Sequence, residues 1–255
     1  SEIGMPSAIA RSATAGEIAE LTGLNLDQPG VILSRAGWVS PPEFCAALLD
    51  HPLIKVVTGA QVESLSLESG RWAVTCSGGD CPYSAQHVVA ANAFSASAIE
   101  LLKWLPVEPV RGQISFMKQD AASAALRSIV AYDGYLLPGD GSRHIVGASY
   151  DHNAPSTQLS AEKDRQLYER LEKWVPALAG KVSLGGRVAF RTSTHHRLPY
   201  VGAIPEYDFF MQAYADLARG FPDDHYPEAR YLAGLWVSAG HGSRGLCSAP
   251  LMGES

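Results

Sequence analysis

Six residues near the end of the chain place glycines, a hydroxyl, an imidazole and a guanidinium in one short turn. Residues 240–245 read Gly-His-Gly-Ser-Arg-Gly, and they follow an apolar stretch at 231–239 and precede a helix-like stretch from residue 246. A strand, a glycine turn and a helix start aim unpaired backbone N–H groups at one point, where the helix dipole also favours negative charge. The pattern therefore predicts a site for an anionic or electron-rich group.

Three functional interpretations are compatible with this turn. It matches the dinucleotide-binding pattern G-x-G-x-x-G, but that pattern also needs a following βαβ unit and an acidic residue about 20 positions later, and neither follows residue 245 here. A serine-hydrolase elbow would make Ser243 the nucleophile, but it requires glycine where His241 stands. The third interpretation is a loop that closes over a flavin through its backbone N–H groups. An ordinary glycine turn without a ligand is the remaining alternative.

Composition and charge indicate a globular chain with a substantial core. The sequence has 255 residues, of which 46% are hydrophobic and 18% charged, as in soluble globular proteins. No apolar run reaches the ~18 residues of a membrane span, so we expect a cytoplasmic protein without membrane contact. The net charge of −6 without a basic cluster implies that a nucleic-acid partner would dock mainly elsewhere. The cysteines, Cys45, Cys76, Cys81 and Cys247, are irregularly spaced, which favours reduced core residues over a disulfide framework or a zinc site.

Hydrophobic periodicity predicts the elements that must position the turn. Strands are expected at 54–57, 61–67, 71–76, 87–91, 111–117, 128–132, 135–137, 143–149, 187–192 and 231–239. Helices are expected at 41–50, 95–103, 159–178 and 208–217. Ser40, Pro41 and Glu43 predict a capping box at the first of these helices. The order of the elements, with antiparallel strands inserted between two other regions, indicates interleaved domains.

Six segments together resemble one family of enzymes. They are residues 37–41, 110–113, 132–135, 145–150, 191–202 and 242–251. These segments are similar to FAD-dependent oxidoreductase modules of the D-amino-acid oxidase and glycine oxidase superfamily, and most closely to those modules that act on the wobble uridine of tRNA. The resemblance covers nearly the whole chain from about Ala8.

The resemblance implies an α/β (α+β) fold that is D-amino-acid oxidase-like. A partial, doubly wound FAD-binding domain over residues 1–105 and 187–255 would be interleaved with a substrate domain over residues 106–186, which contains an antiparallel sheet and a helix. FAD-binding domains of this type usually begin with a strand and a glycine fingerprint. Neither is found at the start of this sequence, so we expect the sequence to begin downstream of that unit and to lack most contacts to the ADP half of FAD.

The resemblance also implies a reaction. FAD-dependent oxidation would remove the carboxymethyl group from 5-carboxymethylaminomethyl(-2-thio)uridine in tRNA, giving the aminomethyl form and glyoxylate. A methyltransferase module in the same polypeptide would then act on the free amine. Two alternatives remain open: an oxidase or dehydrogenase of a free small amino acid such as glycine or sarcosine, and a truncated, non-catalytic fragment.

The same resemblance assigns roles to individual residues. Arg191 would bind the substrate carboxylate, since a guanidinium suits a bidentate grip, and Tyr135 and Arg244 would complete the catalytic group. Taken as residue types alone, Arg191 could instead pair with a surface acid and Tyr135 could pack in a sheet. The implied FAD-binding residues are Val62, Ala91, Asn92, Arg111, Gln113, Gly240, His241, Gly242, Ser243, Arg244, Gly245 and Leu246. Asn92 departs from the family pattern, in which an alanine-glycine pair is usual, and no metal is expected.

Overall fold

A computed structural model describes residues 4–77, 83–152 and 154–254. The strands within these ranges are β1 (Ala10–Ala13), β2 (Gly30–Leu33), β3 (Val62–Glu68), β4 (Arg71–Cys76), β5 (Tyr83–Ala85), β6 (Val88–Ala90), β7 (Val107–Lys118), β8 (Val130–Ala131), β9 (Tyr135–Leu136), β10 (Arg143–Gly147), β11 (Ser183–Thr194), β12 (Tyr200–Pro205) and β13 (Tyr231–Ala239). The α-helices are α1 (Ala15–Thr22), α2 (Pro41–Leu49), α3 (Ala161–Trp174), α4 (Tyr207–Ala213) and α5 (Gly245–Glu254). Short 3-10 turns occur at Ala93–Ala98, Glu100–Leu102, Pro176–Leu178, Leu217–Arg219, Asp223–His225 and Gly242–Arg244. None of the helices in the described ranges is long and apolar enough to cross a membrane.

The chain forms two compact units from interleaved segments. The first unit combines Ser1–Asp50 with Val110–Phe190, and the second combines His51–Pro109 with Arg191–Ser255. The junctions lie a few residues from the boundaries expected after residues 105 and 186, but the segment before residue 51 clusters with the first unit. The assignment of one domain to FAD and the other to substrate stays a prediction.

The first unit is built on a five-stranded sheet with the order β11-β7-β10-β9-β8. Strand β10 pairs antiparallel with both β7 and β9. Helix α3 begins at its N-cap Ser160, whose hydroxyl accepts from the Lys163 amide. Its buried Leu167 and Leu171 lie one helical turn apart and pack in the same core cluster as Met117 of β7. The amphipathic pattern predicted for this helix is therefore what attaches it to the sheet.

The second unit contains two three-stranded sheets. In one, β13 lies between β12, which is antiparallel to it, and β6, which is parallel to it. The other has the order β3-β4-β5, with antiparallel pairs. The two sheets share one core, which includes Trp72, Leu102 and Leu235, and the Trp72 Nε1–H donates to the carbonyl of Ala233 at 2.9 Å. This core fixes β13, which leads directly into the glycine turn.

Some local predictions are wrong. Ser40 makes no side-chain capping hydrogen bond, whereas a full capping box forms between Thr14 and Glu17 at the start of α1. Residues 54–57 form no strand, since an apolar run does not by itself supply a neighbouring strand to pair with. The helix expected at 95–103 is replaced by two 3-10 turns.

The cysteines also differ from expectation. Cys45 and Cys247 are free but exposed, so they are not core residues. Cys76 is buried and disulfide-bonded, so it is not a reduced thiol. Cys81 lies outside the described residues.

Candidate functional site

The glycine turn lies at the edge of the sheet where two parallel strands end. Ala90 of β6 pairs with Val237 of β13, so that Asn92 and Gly240 leave the sheet at the same edge. In sheets with parallel strands, ligands bind outside the carboxyl ends of the strands. The structure therefore brings the predicted 91–92 segment and the predicted turn to one edge.

Close packing joins the turn to the carboxyl end of β11. Gly240 has a φ of +78°, and a Cβ atom at this position would lie 2.5 Å from Cγ2 of Thr194, so that only glycine fits without displacement. A Cβ atom on Gly242 would lie 3.9 Å from Oγ of Ser193. The end of β11 thus forms the floor of the turn, and Arg191 lies two and three positions before Ser193 and Thr194 in the same strand.

The floor itself is polar and buried. Thr192, Ser193 and Thr194 are exposed by only 7%, 4% and 2% of their surface. The Thr194 hydroxyl donates to the carbonyl of Leu198 at 2.7 Å, but Oγ1 of Thr192 has no hydrogen-bond partner within the described residues. Burying such a hydroxyl costs about 1–3 kcal/mol. A polar ligand or a water molecule at this position would recover that cost.

Helix α5 starts at the last glycine of the turn. Residues 242–244 form a 3-10 turn, in which the Arg244 amide donates to the carbonyl of His241 at 3.1 Å. The first turn of α5 carries no acidic side chain, so the positive end of the helix dipole is not neutralised there. The side chains of Ser243 and Arg244 are exposed. The turn therefore offers backbone donors and a positive potential rather than buried side-chain groups.

His241 is hydrogen-bonded on both ring nitrogens. Its Nε2 lies 3.0 Å from Oγ of Ser238, and its Nδ1 lies 2.9 Å from Oγ of Ser248. The Ser248 hydroxyl donates to the carbonyl of Arg244 at 3.1 Å, and its oxygen therefore accepts from His241 Nδ1–H. If the ring is neutral, Nε2 accepts from the Ser238 hydroxyl. Burial lowers the pKa of His241, which is consistent with a neutral ring.

Sequence reasoning did not identify the two serines. Ser238 is the single serine in the largely apolar strand β13, and a small polar residue at such a position could have indicated a buried hydrogen bond. Ser248 follows His241 by seven residues, and only the strand-turn-helix geometry brings the two side chains together. Residues 192–194 are also three consecutive polar residues in the sequence, but no local pattern indicates that they pack against the turn.

Two other predicted residues belong to elements that do not include the turn. Tyr135 belongs to the first unit, where its ring is pressed against Gly147, and a Cβ atom on this glycine would lie 2.2 Å from the ring Cζ. Val62 belongs to the second unit but begins β3, on the sheet that does not contain β13. Their catalytic and cofactor roles stay predictions.

Arg111 and Gln113 are buried on β7 in the first unit. The Arg111 guanidinium donates to the carbonyls of Ser156 and Gln158 at 2.8 and 2.6 Å and to Oε1 of Gln113 at 3.1 Å. It also pairs with the carboxylate of Asp151 at 3.2 Å. These bonds hold the segment after β10 against β7, so the side chain of Arg111 stabilises the fold of the first unit. Its role in binding FAD stays a prediction.

The interleaved units, with a parallel strand pair in one and an antiparallel sheet in the other, define a D-amino-acid oxidase-like fold. The model of the family described as FAD dependent oxidoreductase matches residues 5–255. The chain belongs to this family.

Named relatives agree with this membership, and a solved structure shares the fold. The chain is 35% identical over 253 residues to the tRNA 5-methylaminomethyl-2-thiouridine biosynthesis bifunctional protein MnmC of Pseudomonas putida (strain W619), covering 96% of this chain and 38% of that protein. It is 37% identical over 246 residues to the protein of the same name from Pseudomonas entomophila (strain L48), covering 92% and 37%. The chain thus spans well under half the length of these relatives. The crystal structure of glycine oxidase from Geobacillus kaustophilus superposes with a TM-score of 0.76 at 23% identity, over 99% of this chain and 62% of that chain.

FAD is the cofactor of this family, and the turn fits one part of it. The carbonyl oxygens at the pyrimidine edge of a flavin are electron-rich, and they match the backbone donors and the positive dipole at the start of α5. The floor adds an unpartnered buried hydroxyl on Thr192. The G-x-G-x-x-G pattern occurs once in the given sequence, at 240–245, and it leads directly into α5.

Proposed function

We propose that this chain is the FAD-dependent oxidoreductase part of a tRNA-modifying enzyme. It removes the carboxymethyl group from 5-carboxymethylaminomethyl(-2-thio)uridine at the wobble position and releases glyoxylate. The name of the relatives, which refers to 5-methylaminomethyl-2-thiouridine biosynthesis in tRNA and to a bifunctional protein, supports this proposal. A methyltransferase module in the same polypeptide is the second activity, the reaction takes place in the cytoplasm, and tRNA docks mainly through other parts of the protein.

The chemistry follows from the substrate group, which is a glycine-like secondary amine. FAD, when bound, supplies the two-electron oxidant that accepts a hydride from the carbon between the amine and the carboxylate. Loss of this hydride leaves a carbon-nitrogen double bond, and the addition of one water molecule splits it into the free aminomethyl group and glyoxylate. The protein must therefore orient the carbon and hold the carboxylate, but it does not need a dedicated acid-base pair.

The packing of the glycine turn on the end of β11 carries the proposal. Because Gly240 rests on Thr194, a group held by the turn lies beside the strand that contains Arg191. A guanidinium binds a carboxylate through two parallel hydrogen bonds and so orients the adjacent carbon. In this proposal residues 240–246 hold the pyrimidine edge of the flavin, Arg191 holds the substrate carboxylate, and Tyr135 and Arg244 complete the catalytic group.

Two consecutive experiments test the proposal, the first on flavin binding and the second on substrate preference. The chain is titrated with FAD, and the flavin absorbance spectrum is recorded. The loaded protein is then mixed without oxygen with tRNA that carries the carboxymethylaminomethyl group or with free glycine, and flavin bleaching and glyoxylate are measured. We expect bleaching by the tRNA. Faster bleaching by glycine would instead favour a small amino-acid oxidase, and the absence of a bound-flavin spectrum would favour a non-catalytic fragment.

A matched pair of arginines on β11 tests the carboxylate site. Arg191→Ala should slow flavin reduction by the modified tRNA ~100-fold or more, the range expected when a charge-assisted, bidentate contact is lost. Arg187 is exposed and lies four residues before Arg191 on the same strand. Arg187→Ala should therefore change the rate less than about twofold. Equal effects of the two substitutions would contradict a specific role for Arg191.

A further inference from the structure

A side chain bridges the two elements that flank the glycine turn. Ser238 lies in β13, Ser248 lies in α5, and His241 contacts both of them with its two ring nitrogens. We call these three residues the histidine clasp. The Ser248 hydroxyl extends it by donating to the carbonyl of Arg244, one turn earlier in the helix.

The turn needs such a bridge for physical reasons. Gly240 and Gly242 adopt φ values of +78° and +59°, and glycine loses more conformational freedom on ordering than any other residue. Helix α5 has ten residues and contains Pro250, which cannot donate to the carbonyl four residues earlier. Isolated helices of this length are marginal in water. The direction of the first helical amides therefore depends on contacts outside the helix, and the clasp is a contact that spans the turn.

We propose that His241 is a positioning residue for the flavin, acting through Ser238 and Ser248 rather than by contact with the reacting atoms. The clasp holds the amides at the start of α5 in one orientation, and this orientation sets the affinity for the flavin and its reduction potential. The inference rests on the proposed function in that the ligand is a flavin. The clasp itself is a property of the chain without ligand.

The bond pattern makes a specific statement about the imidazole. Because Ser248 donates its single hydroxyl proton to the Arg244 carbonyl, its oxygen accepts from the ring, and Nδ1 therefore carries a proton. Nitrogen-15 NMR of the full chain, with histidine labelled, distinguishes a protonated from an unprotonated ring nitrogen. A His241 signal with the proton on Nδ1 in the wild-type chain is expected, and a ring protonated on Nε2 alone would overturn the clasp as described.

Substitutions separate the two ends of the clasp. His241→Ala removes both contacts, and Ser248→Ala removes the helix end only. His241→Asn places an amide near the position of Nδ1 and keeps the contact to Ser248, whereas His241→Gln reaches towards Ser238. Exposed His87 precedes β6 in the same unit, and His87→Ala is the control.

Amide hydrogen exchange of the segment 240–254 is measured on the chain without flavin. His241→Ala and Ser248→Ala should exchange about tenfold faster than wild type, the order expected from losing one or two hydrogen bonds. His241→Asn should restore part of the protection, and His87→Ala should match wild type. Unchanged exchange in His241→Ala overturns the clasp whether or not flavin binds.

The dissociation constant for FAD and the midpoint potential of bound flavin are then measured for the same variants. We expect an affinity about tenfold weaker in His241→Ala and a shifted potential, with His241→Asn lying closer to wild type. Faster exchange with an unchanged potential and affinity overturns the positioning role and leaves a structural clasp. If the wild-type chain binds no FAD, the proposed function fails together with the positioning role, and the exchange data still report on the clasp.

Discussion

Replacing Gly240 with alanine measures how firmly the turn is seated on β11. A non-glycine residue at a φ of +78° costs about 1–2 kcal/mol. The new Cβ atom would lie 2.5 Å from Cγ2 of Thr194, and relief of such overpacking costs about 1–3 kcal/mol. The Thr194 side chain cannot simply rotate away, because its hydroxyl is bonded to the Leu198 carbonyl. We therefore expect Gly240→Ala to lower the free energy of unfolding by ~2–5 kcal/mol.

A double-mutant cycle separates the two contributions. Thr194→Ser removes the methyl group but keeps the hydroxyl, so in the Gly240→Ala background it should recover about 1–3 kcal/mol, as measured by urea unfolding. Gly220 has a similar φ of +69° with nothing within 4 Å of an added Cβ atom, so Gly220→Ala should cost only the ~1–2 kcal/mol of backbone strain. Additive effects of Gly240→Ala and Thr194→Ser would refute the packing argument, and so would equal costs at Gly240 and Gly220.

Three further substitutions test other contacts of the two units. Burial acts to raise the pKa of Asp151, but hydrogen bonds from Lys163 and neighbouring groups outweigh it and lower this pKa. The resulting stabilisation is present above the unfolded-state pKa of about 4 and is lost as the pH falls through the folded-state pKa. In Asp151→Asn the free energy of unfolding should therefore decrease less steeply as the pH is lowered below about 4. Trp72→Phe removes a hydrogen bond to a carbonyl of β13 and should lower the free energy of unfolding in urea by about 1–3 kcal/mol, whereas an unchanged value would show that the bond is dispensable. Gly147→Ala should displace the ring of Tyr135, which a carbon-13 tyrosine NMR spectrum would report as a shifted or broadened signal; an unaltered signal would contradict the close contact.

Local patterns in the sequence predict the core of the site well. The strand expected at 231–239 is found as β13 with the same bounds, and the glycine turn and helix follow it. Both features depend on neighbouring residues alone: a continuous apolar run for a buried strand, and glycines for positive φ. The amphipathic helix α3 is predicted for the same reason, and on its exposed face Glu169 pairs with Arg165.

Contacts between distant segments are what the sequence does not reveal. The guanidinium of Arg111 donates to the carbonyl of Gln158, 47 positions later, and no local pattern in the sequence indicates this partner. The floor of the turn at Thr194 precedes Gly240 by 46 positions, and no local pattern joins the two. Such pairings follow from strand order and register, which are set by the packing of the whole unit rather than by residue type.

Helix α2 is an element that local signals specify without specifying its packing. Pro41 at its first turn defines where the helix begins, yet none of its residues is buried within the described structure, and Leu48 remains 57% exposed. Local signals can therefore specify a helix whose apolar side chains find no packing in the described ranges, whereas most helical stability comes from tertiary burial. The turn at 240–245 is the contrasting case, because the residues that give it its shape locally, the glycines, are also the residues that seat it on β11. Where one residue serves both the local conformation and the tertiary contact, the sequence is informative about function; where the two are separate, as in α2, it specifies only the element.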